Sequence, residues 1–300
     1  MCVPGTALSR YINFYTDFAF KKIFGTEANK DLLISFLNSL LDLHGDDEIT
    51  DLTQINTEQL SDSPSDRRAV FDVNCQTAKG ERFVVEMQKA KQDNFRDRAV
   101  YYSSFPIREQ GIKGSGWDYT LSPIYVVGIL NFVMDENKKS DKVVTRALIK
   151  DDDNEVFSNK LNFIFLEMPK FRKKEDELKT LFDKWLFVIK NLYKLTQKPK
   201  ALSEAVFHHL FEIAEIAAFT PQERYDYEES LKNFRDMNNV LQTAIRQGYA
   251  EGEAIGLEKG KAEGEHKEKL RSAKKMLDKG IDVQTVAEIT GLSVEEIKRL

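Results

Sequence analysis

Cysteine and histidine are scarce in this 300-residue chain, with two of the first, Cys2 and Cys75, and four of the second. Two thiols so far apart supply neither a disulfide framework nor zinc-ligand spacing, and they suit a reducing compartment. His208 and His209 are adjacent, about 100° apart on a helix, so they share no ligand face. Positive charge is short as well: 44 Lys and Arg stand against 49 Asp and Glu, a net −5, which argues against a surface that is basic overall. The longest apolar run, residues 124–133, is interrupted by Asn131 and is too short to span a bilayer. Residues 1–10 lack the charged start and apolar core of a secretion signal. No Gly-x-Gly-x-x-Gly follows a strand-like run, which argues against a nucleotide-binding oxidoreductase. Together these absences predict a cytoplasmic protein without membrane association.

The chain nonetheless has the means to bury a core, with 41% hydrophobic and 31% charged residues, enough for one large or two modest domains. Its organising stretch is 70–88, VFDVNCQTAKGERFVVEMQ. Phe71, Val73 and Cys75 alternate with Asp72, Asn74 and Gln76; Phe83, Val85 and Met87 alternate with Arg82, Glu86 and Gln88, with Val84 out of pattern. Period two marks two strands, and Ala78-Lys79-Gly80 fits a three-residue hairpin connection with glycine in the left-handed position. Pairing Thr77 with Glu81 places Phe71 opposite Met87 and Asp72 opposite Glu86, about 5 Å apart at Cβ. Opposed carboxylates repel, so either they splay into water on a solvated face or a cation compensates them. A hard divalent ion such as Mg²⁺ suits carboxylate oxygens. On that reading, replacing either carboxylate by alanine relieves repulsion and leaves the metal-free fold as stable or more so.

Asp72 followed by Glu86-Met87-Gln88 resembles the active-site signature of the PD-(D/E)XK nuclease superfamily, with Gln88 where lysine is usual. Three further blocks, DFAFKKIFG (17–25), FDV with VEMQ (71–73 and 85–88) and FRDRAVYY (95–102), resemble the Rpn-like recombination-promoting nuclease and transposase family of bacteria, most closely over residues 11–135. The resemblance implies an α/β fold, a mixed β-sheet flanked by helices with a mainly helical C-terminal half. It also implies a metal-dependent DNA endonuclease linked to recombination or transposition. Asp72, Glu86 and the Met87 backbone carbonyl would hold Mg²⁺ or Mn²⁺, with Asp17 on the first helix as a further ligand. Gln88 would position water, Arg98 would meet phosphate or the active site, and Lys89, Lys91 and Arg96 would lie along DNA. Gln88 cannot carry the charge of lysine, so the alternative is a catalytically inactive nuclease-like module that binds DNA or protein.

Elsewhere, Thr16 or Asp17 opens a helix ending at Gly25, where the Asp17 charge also complements the helix dipole. Residues 28–43 repeat leucine and phenylalanine at helical spacing and stop at Gly45. Residues 49–60 read as a strand, 61–65 as a turn, and 93–104 as a helix capped by Asp93 or Asn94 and interrupted at Pro106. Residues 123–133 read as a strand buried on both faces, and 143–149 and 161–168 as two more, divided by the solvated acidic turn 151–154. Strand signals cease after Glu175. Gly248, Gly252, Gly256, Gly260 and Gly264 recur every four residues, each costing a helix roughly 1 kcal/mol against alanine, so this segment reads as a loose linker or one that orders against a partner. The tail, with a capping box at Ser293 to Glu296, resembles a helix-turn-helix, but Glu295 and Glu296 favour a packing or dimerising module over DNA readout. The expected layout is a nuclease-like domain over 11–170, a helical region over 171–247 packed on it or following it, and a glycine-periodic linker with a small helical tail over 248–300. DNA and a second copy docked through the C-terminal helices are the expected partners.

Overall fold

The computed structural model describes residues 9–55, 58–59, 69–92, 94–111, 117–134 and 139–300. Cys2, Arg67, Arg68, Asp93 and the turn expected at 61–65 lie outside them. The chain divides into a unit over 1–236 and a second over 237–300.

The first unit opens with α1 (Asp17–Phe24), whose N-cap Thr16 accepts the Ala19 N–H, and α2 (Lys30–Leu41). The second helix stops on Asp42 in the left-handed conformation (φ 57°), three residues before the glycine that the sequence suggested. The strand expected over 49–60 is shorter, β1 (Leu52–Gln54), and a separate two-stranded ladder joins β2 (Glu58–Gln59) to β3 (Ala69–Val70). Then come β4 (Val73–Thr77), β5 (Arg82–Gln88), α3 (Phe95–Glu109), β6 (Ile124–Leu130), β7 (Val144–Lys150) and β8 (Val156–Glu167). Pro106 sits inside α3, so the helix runs past the interruption expected there.

Six strands form one mixed sheet in the order β1-β4-β5-β6-β8-β7. The hairpin is antiparallel, β5, β6 and β8 run parallel, and β7 turns back along the edge. Odd-numbered residues of β4, β5 and β6, among them Val73, Cys75, Val85, Met87 and Val127, enter the main core with Phe24, Phe36, Trp185 and Phe207. That core brings in α4 (Leu181–Asn191) and α5 (Ala205–Ile213). The opposite face lies under α3, where Phe95 and Ala99 meet Val126 and Phe165, and Phe105 meets Val84. Burial on both faces explains why 124–130 is apolar throughout.

α6 (Pro221–Asp278) closes the first unit at its start: the Tyr227 hydroxyl accepts the Asn13 N–H and Ser230 Oγ the Phe18 N–H, which fixes the chain entering α1. The helix is continuous through the glycine repeat, where a linker was a possibility. Helical phase costs glycine conformational entropy but no contact there, and the strong helix formers Ala, Glu, Lys and Leu surround it. In the second unit, Ala273 and Leu270 of α6 pack with Val286 of α7 (Val283–Thr290) and Ile297 of α8 (Val294–Ile297). Gly291 (φ 68°) makes the left-handed turn between α7 and α8, and Ser293 and Glu296 form the expected capping box.

Among the described residues, no helix is long and apolar enough to cross a membrane.

Candidate active site

The hairpin register agrees with the count from the turn. Val73 pairs Val85, Cys75 pairs Phe83 and Thr77 N–H donates to the Glu81 carbonyl, while Gly80 (φ 87°) occupies the left-handed turn position. Continuing the ladder, Asp72 faces Glu86. There the regular ladder ends, because the chain bends at Asp72 and side chains take over from backbone: Asp72 Oδ2 accepts the Met87 N–H at 2.8 Å, and Glu86 Oε1 accepts the Asp72 N–H at 3.1 Å. The bend also corrects one expectation. Phe71 does not share a face with Val73 and Cys75; it packs on the α3 side with Val84, Tyr102 and Phe105.

The even-numbered face is therefore not a solvated polar strip. Glu86 and Gln88 are buried and Asp72 half-buried. Gln88 Nε2 donates to Glu86 Oε2 at 3.2 Å, and Arg98, from α3, brings Nη2 to 3.9 Å of the same oxygen. Burial, then the nearby Asp72 charge, pushes the Glu86 carboxyl up to about 8. Asp72 is raised too, chiefly by burial, with the Met87 N–H working against it and the Asp17 charge adding to it. Two carboxyls that both resist ionisation while sharing one corner are short of positive charge. Hard oxygen donors in that condition are the donor set of a divalent cation, so the residues fit the ion that the resemblance implies. In an extended strand a residue's N–H and C=O point the same way, and the Met87 N–H points to Asp72, so its carbonyl faces the same edge of the strand.

The remaining candidates are less central. Asp17 pairs with Lys89 Nζ at 2.5 Å, which places both beside Asp72 as charges and gives each a partner. Lys91 and Arg96 are exposed on either side of the start of α3. Among the described residues, no group of three or more His, Cys, Asp and Glu stands ready for a metal.

Two residues of this site escaped the sequence reading. In the sheet, Glu86 is followed across the strands by Gly128 and then Phe165. A Cβ on Gly128 would lie 3.0 Å from the Phe165 ring, so glycine leaves room for that ring on the strand next to Glu86. An isolated glycine inside an apolar strand was the available signal.

A family model described as PD-(D/E)XK nuclease family transposase matches residues 14–244, which contains the whole sheet and the Asp72, Glu86 and Gln88 cluster. The chain belongs to that family. A second model, the C-terminal HTH domain of the Rpn/YhgA-like nuclease family, matches residues 266–300, the segment whose helices pack around Val286 and Ile297. No curated protein and no solved structure matches the chain. The matched region holds Asp72 and Glu86 with Gln88 two residues further on, and Arg98 of α3 stands 3.9 Å from Glu86.

Proposed function

We propose that the chain is a divalent-metal-dependent DNA endonuclease acting in recombination or transposition, with Asp72 and Glu86 as its central carboxylates. The observation that carries this reading is their pairing at the broken end of the hairpin, Glu86 buried and Asp72 half-buried, with burial and their mutual charge raising the Glu86 carboxyl. Asp72, Glu86 and the Met87 carbonyl would hold Mg²⁺ or Mn²⁺, which when bound polarises phosphate and lowers the pKa of water. Gln88 holds Glu86 through its amide N–H and keeps its carbonyl oxygen to accept a hydrogen bond from the attacking water and so position it. Arg98, beside Glu86, offers its guanidinium to the phosphate oxygens, the positive charge that Gln88 lacks. Hydrolysis forms one P–O bond to water and breaks one to the leaving sugar oxygen, which takes up a proton. The HTH unit would add affinity for duplex DNA, and the C-terminal helices would join two copies.

The test is cleavage of supercoiled plasmid with Mg²⁺ or Mn²⁺, by wild type and by Asp72→Asn and Glu86→Gln, with loss on the order of 100-fold or more expected for each variant. Equal rates in wild type and variants would remove the carboxylates from the reaction. The inactive-module reading is favoured by Gln88 and by the hydrogen bonds that already occupy Asp72 Oδ2 and both Glu86 oxygens. Calorimetry separates the two: a protein that binds DNA and takes up neither metal is a binding module.

A further inference from the structure

We infer that the outer face of α3, continued by Trp117 and Tyr119, is a stacking platform for an unpaired DNA strand leading to Asp72 and Glu86. The inference rests on the nuclease reading above and adds the form of DNA that the site takes. An unbroken series of contacts runs outward from the carboxylates. Arg98 stands 3.9 Å from Glu86 and lies 4.9 Å over the Tyr102 ring, and Tyr102 touches Tyr101, whose ring centroid is 6.2 Å away. Tyr101 is 45% exposed yet held edge-on by Phe105 at 5.3 Å, so a large ring is presented to solvent in a fixed orientation. One turn further on, exposed Arg108 lies over the Phe105 ring.

At the end of the helix, Gly111 has no side chain, and a Cβ there would come 3.6 Å from the Trp117 indole, so the indole lies close against the helix end. Trp117 in turn meets Tyr119 at 4.6 Å. Tyr119 is 78% exposed and its φ is 64°, a left-handed conformation that costs a bulky residue free energy. Neither burial nor backbone preference accounts for an aromatic ring at that position. From residue 98 to residue 109 the helix rises about 16 Å, enough for several bases stacked at about 3.4 Å.

The charge fits the same occupant. Arg96, Arg98 and Arg108 line this helix against Asp97 and Glu109, and Glu109 is neutralised by Arg82 at 2.9 Å, which leaves the helix basic in a protein that is acidic overall. Exposed rings interleaved with arginine recognise bases by their faces and phosphates by charge, and bases present faces only when unpaired. A duplex offers this surface its phosphates alone.

The experiment is equilibrium binding of fluorescein-labelled oligodeoxynucleotides, one unpaired and one fully duplex, to the full-length chain in EDTA. Wild type is compared with Tyr101→Ala, Tyr101→Phe and Tyr119→Gly. Loss of a stacking ring is expected to weaken binding of the unpaired strand about tenfold or more, leave duplex binding within about twofold, and be restored by Tyr101→Phe. Tyr119→Gly separates recognition from folding, since glycine accepts φ 64°: its melting temperature should hold or rise while its affinity for the unpaired strand falls. Alanine and glycine variants that bind both DNAs as wild type does, or that lose both equally, overturn the platform, and plasmid cleavage by the same variants shows whether the nuclease reading survives. A wild type that neither binds nor cuts DNA overturns the nuclease reading together with the platform.

Discussion

Asp72 and Glu86 each have two jobs in the metal-free protein, as charges and as acceptors for backbone N–H groups, and the two act in opposite directions on stability. Asp72→Asn keeps an oxygen for the Met87 N–H and discards the charge, so it should be at least as stable as wild type in EDTA. Asp72→Ala removes the acceptor and leaves that N–H unpaired, at about 1–3 kcal/mol, which outweighs the relief of repulsion that the sequence alone suggested. Urea denaturation ranks the three, and an alanine variant as stable as the asparagine one would show that the hydrogen bond contributes nothing. Glu86 sets a pH dependence. Its folded carboxyl titrates at about 8 against a usual 4.5. Between those values the folded state holds a proton that the unfolded chain has released, so this contribution is full below 4.5 and is lost as pH rises toward about 8. The melting temperature of Glu86→Gln in EDTA should therefore gain on wild type across that window, and parallel curves would mean that the site does not perturb Glu86.

Among the elements, the hairpin and α6 show how far local sequence reaches. The hairpin has period-two apolar residues and a glycine where φ is 87°, so its turn and register follow from neighbours in sequence. α6 is different, because its glycine repeat argues against helix locally and the 58-residue helix runs through it regardless. A Cβ at Gly256 would meet nothing within 4 Å. Gly256→Ala should thus add helical stability, roughly 1 kcal/mol, measured as higher helical circular dichroism and slower amide exchange in that segment. A variant with less helix than wild type would mean that glycine is needed there for a turn.

For the molecule, the decisive joint is the one between the chain before α1 and the start of α6. The Asn13 and Phe18 N–H groups find their acceptors on Tyr227 and Ser230, and Tyr15 stacks with Phe234. A chain ending after Asp236 should keep the melting transition of the sheet, whereas one ending at Thr220 leaves both N–H groups without acceptors, removes the Tyr227 ring from Phe18 and the Phe234 ring from Tyr15, and should melt well below it. Equal melting temperatures would assign α6 no part in the first unit. The helical region after residue 170 packs on the sheet, since helices far along the sequence supply the second layer of its core.

The sequence by itself determined what depends on nearest neighbours and on period: the hairpin and its register, a doubly buried strand within 123–133, the capping box at Ser293, and the pairing of Asp72 with Glu86. It also carried the family, because the motif blocks are local strings. Only the tertiary structure decided which way Phe71 turns, since the ladder ends where side-chain oxygens replace backbone partners. It alone set α3 over the carboxylates, which turns a polar strip that looked solvated into a buried one and raises Glu86 to about 8. Gly128 and Phe165 joined the site for the same reason: strands 37 positions apart become neighbours only when the sheet closes, and no local pattern records that distance.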